Sequence, residues 1–336
     1  MQRNGLRSTM EIRLLLVPYD SGQRNVRMGA GPEHLRAAGL RENLAADGHA
    51  VDVQVIEPAS TKWHAEVQTS FELMRAVAAG VRRARAESRF PVVLSGNCLS
   101  AVGVIAGLGT QTGVLWIDAH GDFNTPQTTM SGFLDGMTLA TATGRCWSEL
   151  AQSIEGFEPV PDKAVVMFGT RDLDPGEGPA LDRAGIVRLR SGATLAEIES
   201  ALDNVGRTHT KFYVHLDMDA LDPSEGRANG FAARGGFTSE SLRVLLDTIA
   251  RKLPVAALTI ASYDPAYDTD GKICAIALEA TTTVMGGVTA EINPHEPSTP
   301  LSRGASSPRF LPANARFLGL TIRPPRIVTK GSPQEA

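Results

Sequence analysis

Cysteine is scarce in this sequence, and long apolar runs near the amino terminus are absent. The 336 residues include only three cysteines, Cys98, Cys146 and Cys274, too few and too scattered to form a disulfide framework. The longest amino-terminal apolar run, LLLV, is shorter than the core of a signal peptide and far too short to span a bilayer. We therefore expect a cytoplasmic protein that has no membrane partner.

An excess of positive charge is also missing. The formal net charge is -4 and no basic cluster interrupts the sequence, which excludes a general attraction to nucleic acid or to an anionic membrane. Hydrophobic residues make up 42% and charged residues 21%, as in ordinary soluble proteins of enzyme size. With no internal repeat, 336 residues suffice for one large α/β domain or for two ordinary ones.

Short apolar runs alternate with helix-like stretches along most of the chain. Because the apolar runs are nearly continuous rather than alternating, they are typical of parallel strands that helices cover on both faces. This order predicts an α/β fold, a three-layer α/β/α sandwich around a mostly parallel sheet. The predicted strands are eight runs: IRLLLVP, VDVQVI, FPVVLSG, GVLWIDA, AVVMFGT, GIVRL, KFYVHLD and VAALTIAS.

Several residues mark predicted helix ends. Pro32 suits the first turn of a helix that stops near Gly48. Ser70 is a candidate cap for a long helix that begins at the next residue. Thr194 opens a capping-box pattern, and Thr238 precedes another helical stretch.

The regular alternation ends near residue 285. Residues 286–336 hold 8 of the 20 prolines and many serines, without clear periodicity. We interpret residues 10–285 as the folded domain and residues 286–336 as an irregular or disordered carboxyl-terminal tail.

Acidic residues follow two of the predicted strands. In an extended backbone, alternate residues share a face, so Asp118, His120 and Asp122 should converge, and so should Asp217 and Asp219. Both groups come at the carboxyl end of a strand, which is the edge where open α/β sheets bind their ligands.

Four carboxylates crowded at one edge would repel one another, and two divalent cations would neutralise their charge. Carboxylates with an imidazole suit Mn²⁺, and a water molecule that bridges two such ions becomes a hydroxide nucleophile near neutral pH. The alternative is that these acids only form caps and turns, as a single Asp-x-Asp usually does.

The same stretches resemble the arginase (ureohydrolase) family. DAHGDFN and HLDMDALDP are similar to its two metal motifs, FGTRDLDPGE to the loop near the substrate α-amino group, and MGAGPEHLRAAGL to its amino-terminal segment. The resemblance covers about residues 12–285. It implies a dinuclear manganese hydrolase that cleaves a guanidino or amidino C–N bond of a small molecule, usually as a homo-oligomer.

Carried over residue by residue, the resemblance makes the five residues of the two acid groups the metal ligands. It implies that Asn124 and Ser131 bind the carboxylate of an amino-acid substrate, and that Asp174 and Glu177 lie near its α-amino group. Asp174 precedes Pro-Gly, so the alternative is that it only starts a turn.

Three positions depart from the family pattern. The first metal-ligand His of the family falls on Cys98, which as a thiolate suits Zn²⁺ or Fe²⁺ better than Mn²⁺ and is otherwise a small core residue. The proton-shuttling His falls on Asp135, a poor acid at pH 7 if its pKa is ordinary. The guanidinium-binding Glu falls on Ser262, with Asp264 as a possible substitute or merely the start of a turn.

A Cys at residue 98 also resembles the branch of the family that hydrolyses Nω-hydroxy-arginine. We therefore predict a metal-activated hydrolase of a guanidino, hydroxyguanidino or amidino amino acid, in which Asp118 or Asp135 handles the proton. The alternatives are a formimino or other C–N hydrolase, and an inactive metal-binding sensor or partner subunit. His215 is expected on the same face of its strand as the acids. It either supports the metal ligands or is only a core histidine.

Overall fold

The computed structural model describes residues 9–63 and 65–288. All eight predicted strands are confirmed, and the structure adds a short hairpin near the amino terminus. The strands are β1 (Glu11–Val17), β2 (Tyr19–Asp20), β3 (Gln23–Arg24), β4 (Ala50–Val55), β5 (Phe90–Ser95), β6 (Thr112–Ile117), β7 (Val165–Phe168), β8 (Val187–Leu189), β9 (Lys211–Asp217) and β10 (Val255–Ala261).

Eight of these strands form one sheet in the order β4-β1-β5-β10-β9-β6-β7-β8, and every neighbouring pair is parallel. Helices cover both faces, so the predicted α/β/α sandwich is confirmed. The helices are α1 (Gly31–Ala37), α2 (Leu40–Ala46), α3 (Glu66–Ala86), α4 (Ser100–Leu108), α5 (Thr138–Ala142), α6 (Ser148–Gln152), α7 (Glu177–Ala184), α8 (Leu195–Gly206), α9 (Ser239–Lys252) and α10 (Lys272–Gly287).

The sheet separates two apolar cores. In β1, Leu14 and Leu16 pack into the core beneath α9 and α10, whereas Leu15 and Val17 pack into the core beneath α3 and α4. Both faces of a central strand are therefore buried, which explains why its sequence is a continuous apolar run. No helix in the described part of the chain is both long and apolar enough to cross a membrane.

Pro32 lies in the first turn of α1 and α2 ends just before Gly48, both as predicted. Thr194 and Thr238 each form a complete capping box. The single helix predicted after Pro32 is instead two, because Gly39 adopts a left-handed φ of 98° between α1 and α2. Helix α3 begins at Glu66 rather than after Ser70, since its first turn has no breaker and an acidic residue suits a helix amino terminus.

Helix α10 continues to Gly287, so its last two residues fall within the segment predicted to be a tail. The rest of that predicted tail, from residue 289 onward, lies outside the described residues.

The amino-terminal segment lies against the carboxyl edge of the central strands. A Cβ atom at Gly96, just after β5, would sit 2.3 Å from the carbonyl oxygen of Tyr19. One at Gly31 would sit 2.2 Å from the carbonyl oxygen of Tyr263, just after β10. These close approaches require glycine and explain the Gly-Pro segment, which supports the loops where polar residues gather.

Candidate metal centre

Four adjacent strands carry polar residues to one edge of the sheet. Cys98 follows β5, Asp118 follows β6, Asp217 ends β9 and Ser262 follows β10. All four are at most 3% exposed, although three of them are ionisable. The strand order therefore assembles, from distant parts of the chain, a buried polar cluster of the kind that α/β sheets use for ligands.

The backbone leaves the extended conformation where each acid group begins. The prediction that alternate residues of these groups share a strand face is therefore wrong beyond the end of each strand. Asp217 caps the 3₁₀ turn Met218–Ala220, and its Oδ1 accepts a hydrogen bond from the amide of Asp219 at 2.8 Å. Asp118 Oδ1 likewise accepts from the amide of His120 at 2.7 Å. The carboxylates converge because each first Asp folds the chain back, not because alternate residues share a strand face.

Asp118, His120 and Asp219 form a first group of possible metal ligands, here called the His120 cluster. His120 Nδ1 lies 3.4 Å from a carboxylate oxygen of each acid. Burial disfavours the charged form of His120, but the charges and hydrogen bonds of Asp219 and Asp118 together outweigh it and raise the pKa of the ring. Burial likewise opposes ionisation of Asp219, yet the charge of His120 and the hydrogen bonds from His120 and Asn229 lower the pKa of that carboxyl to about 2.

Cys98, Asp118 and His215 form a second group, the Cys98 cluster, whose ligand atoms lie within 4.8 Å of one another. The Cys98 thiol donates to Asp217 Oδ2 at 2.9 Å and lies 3.9 Å from Asp118 Oδ2. Burial and the charge of Asp217 raise the pKa of Cys98 well above its usual value. Burial and the charge of Asp219 raise the pKa of Asp217, and burial raises that of Asp118 to about 6.

Three buried atoms of the acid groups and of His215 have no hydrogen-bond partner: Asp122 Oδ2, Asp219 Oδ1 and His215 Nε2. Buried polar atoms are rarely left unpaired, and each of these has a lone pair available. Burial and the charge of Asp118 also raise the pKa of Asp122. Divalent cations would pair these atoms and neutralise the acids, so the residues present fit a two-metal centre.

Asp135 lies beside the Cys98 cluster, in the 3₁₀ turn Asp135–Met137. Its oxygens accept from the amide of Leu99 at 2.8 Å and from the side chain of Asn97 at 3.0 Å. The charge of Asp135 contributes to the raised pKa of both Cys98 and Asp122. Burial raises the pKa of Asp135 itself to about 7, above the ordinary value that would make it a poor acid at pH 7, because that carboxyl has lost its hydration.

Among the predicted substrate residues, Asn124, Asp174 and Glu177 are linked by hydrogen bonds, whereas Ser131 is not linked to them. Asn124 Nδ2 donates to Asp174 Oδ2 at 2.9 Å, which links the metal loop to the loop after β7. Glu177 is buried, and its two oxygens accept from the amides of Phe123 and Asp174. Glu177 therefore holds the two loops together. Ser131 is exposed, and its hydroxyl accepts a local bond from the amide of residue 133.

Ser262 lies at the cluster rather than apart from it. Its hydroxyl is 3.4 Å from Cys98 Sγ, and its hydrogen bond to Asp217 favours the charged form of that acid. Its φ of 60° is left-handed, so the backbone turns sharply where β10 ends. Asp264 accepts from the amide of Ala266 and begins a turn, so the turn interpretation of that residue holds.

Asn229 and Arg171, to which the sequence assigned no role, also support the cluster. Asn229 Nδ2 donates to Asp219 Oδ2 at 3.1 Å and to the carbonyl oxygen of Ser262 at 2.8 Å, which ties β10 to the loop after β9. Arg171 donates to the carbonyl oxygens of Asp219 and Leu221 at 2.9 and 3.2 Å. Asn229 lies in none of the motifs named above, and although Arg171 lies within FGTRDLDPGE, its contacts with the loop after β9 are evident only in the folded chain.

The chain is similar to known proteins over nearly all of its described length. A family model for the arginase family matches residues 10–287. An arginase from Bacillus caldovelox is 29% identical over 303 residues, which cover 82% of this chain and 98% of that protein. A crystal structure of arginase from Bacillus subtilis, 26% identical, superposes with a TM-score of 0.75 and covers 82% of this chain and 98% of its own.

The fold likeness extends to a more distant enzyme. A proclavaminate amidino hydrolase from Streptomyces clavuligerus is 17% identical with a TM-score of 0.62, covering 83% of this chain and 92% of its own, and it supports the fold alone. The cysteine-variant branch stays a prediction. The match across residues 10–287, together with the fold, shows that the chain belongs to the arginase family, and with it to the hydrolases that act on linear amidines.

Proposed function

We propose that this protein is a dinuclear-metal hydrolase that cleaves an amidine C–N bond in the side chain of an amino acid. The substrate class comprises arginine, Nω-hydroxy-arginine and related guanidino or amidino amino acids, and manganese is the preferred metal. The active form is a homo-oligomer, as the family resemblance implies.

The observation that carries this proposal is the pair of ligand clusters that share Asp118. Each cluster offers an imidazole and a carboxylate, and the Cys98 cluster adds a thiol. One residue common to two adjacent ligand sets is the arrangement that holds two ions close together. The unpaired oxygen of Asp122 adds a further donor, and Asp219 of the His120 cluster has a second oxygen that is unpaired.

The ligand set favours a hard cation at most positions. Asp118, Asp122, Asp217 and Asp219 contribute oxygen atoms and His120 an imidazole, a combination that suits Mn²⁺. When bound, the metal pair lowers the pKa of a water molecule and supplies the nucleophile for hydrolysis. Cys98 favours a softer metal at its own position only as a thiolate, and burial opposes that form.

Asp135 moves the proton. Hydrolysis of an amidine takes a proton from water and gives one to the departing amine, so a group that titrates near neutral pH serves both steps. The pKa of Asp135 is raised by burial to about 7, which meets that requirement. Asp118 titrates lower, at about 6, and acts mainly as the ligand that both clusters share.

Asn124, Ser131 and Asp174 select the amino-acid end of the substrate. The amide of Asn124 and the hydroxyl of exposed Ser131 donate to a carboxylate, while the carboxylate of half-buried Asp174 attracts an ammonium group. Glu177 acts indirectly, because its oxygens are used by backbone amides that hold these loops. A site built for both charged ends rejects an amine that lacks the carboxylate.

Ser262 determines which head group of the substrate side chain is preferred. The family pattern has a Glu at this position, and Ser262 offers only a neutral hydroxyl beside Cys98 and Asp217. Asp264 is occupied in a turn and does not replace the missing charge. A less basic head group such as N-hydroxyguanidine loses less from that change than a guanidinium, so Nω-hydroxy-arginine is the favoured substrate.

The test combines metal analysis with product release. Purified protein is analysed for metals, stripped with EDTA, reloaded with Mn²⁺, and assayed for urea and hydroxyurea from arginine, Nω-hydroxy-arginine and agmatine. We expect manganese-dependent release, with kcat/KM highest for Nω-hydroxy-arginine and lowest for agmatine. Agmatine as the best substrate would overturn the amino-acid pocket, and arginine as the best would overturn the role of Ser262.

A second candidate function is a metal-binding sensor or partner subunit that has lost catalysis. The loss of the guanidinium carboxylate at Ser262 favours it. Full metal loading without turnover of any guanidino, amidino or formimino compound would support this second function, whereas release from a formimino amino acid alone would identify a different C–N hydrolase.

A further inference from the structure

His215 has one ring nitrogen that no protein atom uses. The residue lies on β9, two positions before Asp217, and is fully buried. Its Nδ1 is 2.9 Å from the hydroxyl of Tyr213, whereas its Nε2 has no hydrogen-bond partner. A histidine that serves only the core normally pairs both nitrogens, because leaving one unpaired costs free energy.

The hydrogen-bond chain below the ring decides which nitrogen carries the proton. The Tyr213 hydroxyl donates to Thr259 Oγ1 at 2.7 Å, so its oxygen accepts from the N–H at Nδ1 of His215. The lone pair of the imidazole is therefore at Nε2. Metal-binding histidines have this arrangement, in which the second nitrogen donates to a neighbouring group and thereby fixes tautomer and orientation.

The ring is also held in place from the side. It stacks on Trp116 of β6, with centroids 3.8 Å apart and planes 13° from parallel. The indole nitrogen of Trp116 donates to Asp118 Oδ2 at 3.1 Å. A ligand nitrogen of His215 lies within 4.8 Å of Cys98 Sγ and of an Asp118 carboxylate oxygen. One rigid pair therefore fixes both the imidazole and a carboxylate of the Cys98 cluster.

We propose that Nε2 of His215 is a direct ligand of the metal position beside Cys98, where it replaces the imidazole that the family pattern has at residue 98. The proposal rests on the proposed two-metal centre and changes its composition. The imidazole that residue 98 lacks is supplied instead from β9, which is separated from β5 by β10, so the Cys98 thiol is free to donate a hydrogen bond to Asp217.

The test uses His215→Asn in the full chain. The asparagine amide can still donate to Tyr213 from the place of Nδ1, but nothing reaches the place of Nε2. Calorimetric titration with Mn²⁺ should show two sites in the wild type. In the variant, one site should weaken at least tenfold and the other should stay unchanged. Tyr213→Phe is the matched control, since it keeps Nε2 and removes only the orienting bond, and its loss should be smaller.

A rescue experiment separates a ligand from a structural residue. Cys98→His added to His215→Asn should restore two tight sites, because it returns an imidazole to the same position. A thermal melt in EDTA checks that each variant folds. If a melt shows that His215→Asn is unfolded, histidine-ring ¹⁵N spectra of the wild type decide, because Zn²⁺ should shift the Nε2 resonance of His215.

Three results would overturn the proposal. Wild-type manganese affinities at both sites in folded His215→Asn, or an Nε2 resonance that Zn²⁺ leaves unshifted, would show that His215 is not a ligand while the metal centre stands. No manganese binding by the wild type would overturn both this proposal and the proposed function.

Discussion

The His120 cluster and the Cys98 cluster share Asp118 and lie at the same edge of the sheet, but only the first contains a positive charge. In the His120 cluster the ring and Asp219 stabilise each other, so the pKa of the ring is raised and that of the acid falls to about 2. In the Cys98 cluster burial keeps His215 neutral by lowering its pKa to about 3, and Cys98 and Asp217 are both shifted toward their protonated forms.

This contrast implies that the two clusters would depend on bound cations to different degrees. The His120 cluster has an internal ion pair that partly balances its charge without metal. The Cys98 cluster balances its charge only with protons or with a cation, because no positively charged residue completes it. The departures at Cys98 and Ser262 both fall on this second side, while the His120 side keeps the family pattern.

The largest expected effect comes from the residue that the clusters share. Asp118→Asn should remove both metals and reduce activity to the background rate, because the amide is a poor ligand at a site that each cluster needs. Metal analysis and product release measure it. Asp162→Asn, at an ion pair with Arg145 before β7, is a control that should keep both metals. A variant at residue 118 that stays loaded would contradict the shared-ligand arrangement.

Asp135→Asn should lower kcat by roughly 10²–10⁴-fold while both metals stay bound, since a positioned acid or base contributes about that much. The pH profile distinguishes proton transfer from simple support of the loop. In the wild type, the pH profile of kcat should include a limb from the Asp135 carboxyl, whose pKa burial raises, and that limb should vanish in the variant. An unchanged limb would assign the titration to another group.

Ser262→Glu should test whether charge at residue 262, beside the Cys98 cluster, sets the preference for the substrate head group. A carboxylate beside the Cys98 cluster provides a partner for a guanidinium, so the ratio of kcat/KM for arginine over Nω-hydroxy-arginine should rise roughly tenfold or more. Ser262→Gln has a similar size without the charge and should leave the ratio nearly unchanged. Equal ratios in both variants would show that charge at this position does not set the preference.

The smallest expected effect concerns stability without metal. The pKa of Asp135 is raised from 3.8 to about 7 in the folded chain, so between these values the folded state binds more protons than the unfolded state. The free energy of unfolding therefore falls as pH rises through this window. Asp135→Asn, which mimics the protonated acid, should reduce the fall from pH 5 to pH 7 by about 2 kcal/mol. Denaturant titrations in EDTA measure it, and parallel pH dependences in the two proteins would contradict it.

The sheet and the two acid groups were predictable from local sequence. Strands such as β5 and β9 are buried on both faces, so their composition alone distinguishes them from loops. The meeting of Asp118 and Asp217 also follows from simple rules, because both come at carboxyl ends of parallel strands. The folding back of each loop was not predicted, since it depends on hydrogen bonds from each first Asp to the amide two residues later.

Other features depend on contacts between residues far apart in sequence. Glu177 reads as a substrate residue from its motif, but in the folded chain its oxygens hold the amides of two loops. The unpaired nitrogen of His215 is evident only once Tyr213 and Thr259 are seen on adjacent strands. The pKa of Asp135 follows from its burial, which no short sequence pattern reports.

The most direct test of the central claim is manganese stoichiometry measured together with turnover. Metal-free protein is titrated with Mn²⁺ while bound metal and hydroxyurea release from Nω-hydroxy-arginine are followed in the same samples. The two-metal account predicts two ions per chain at saturation, two distinguishable affinities, and turnover that requires both. Saturation at one ion or none, or turnover that persists after complete removal of metal by EDTA, would contradict it.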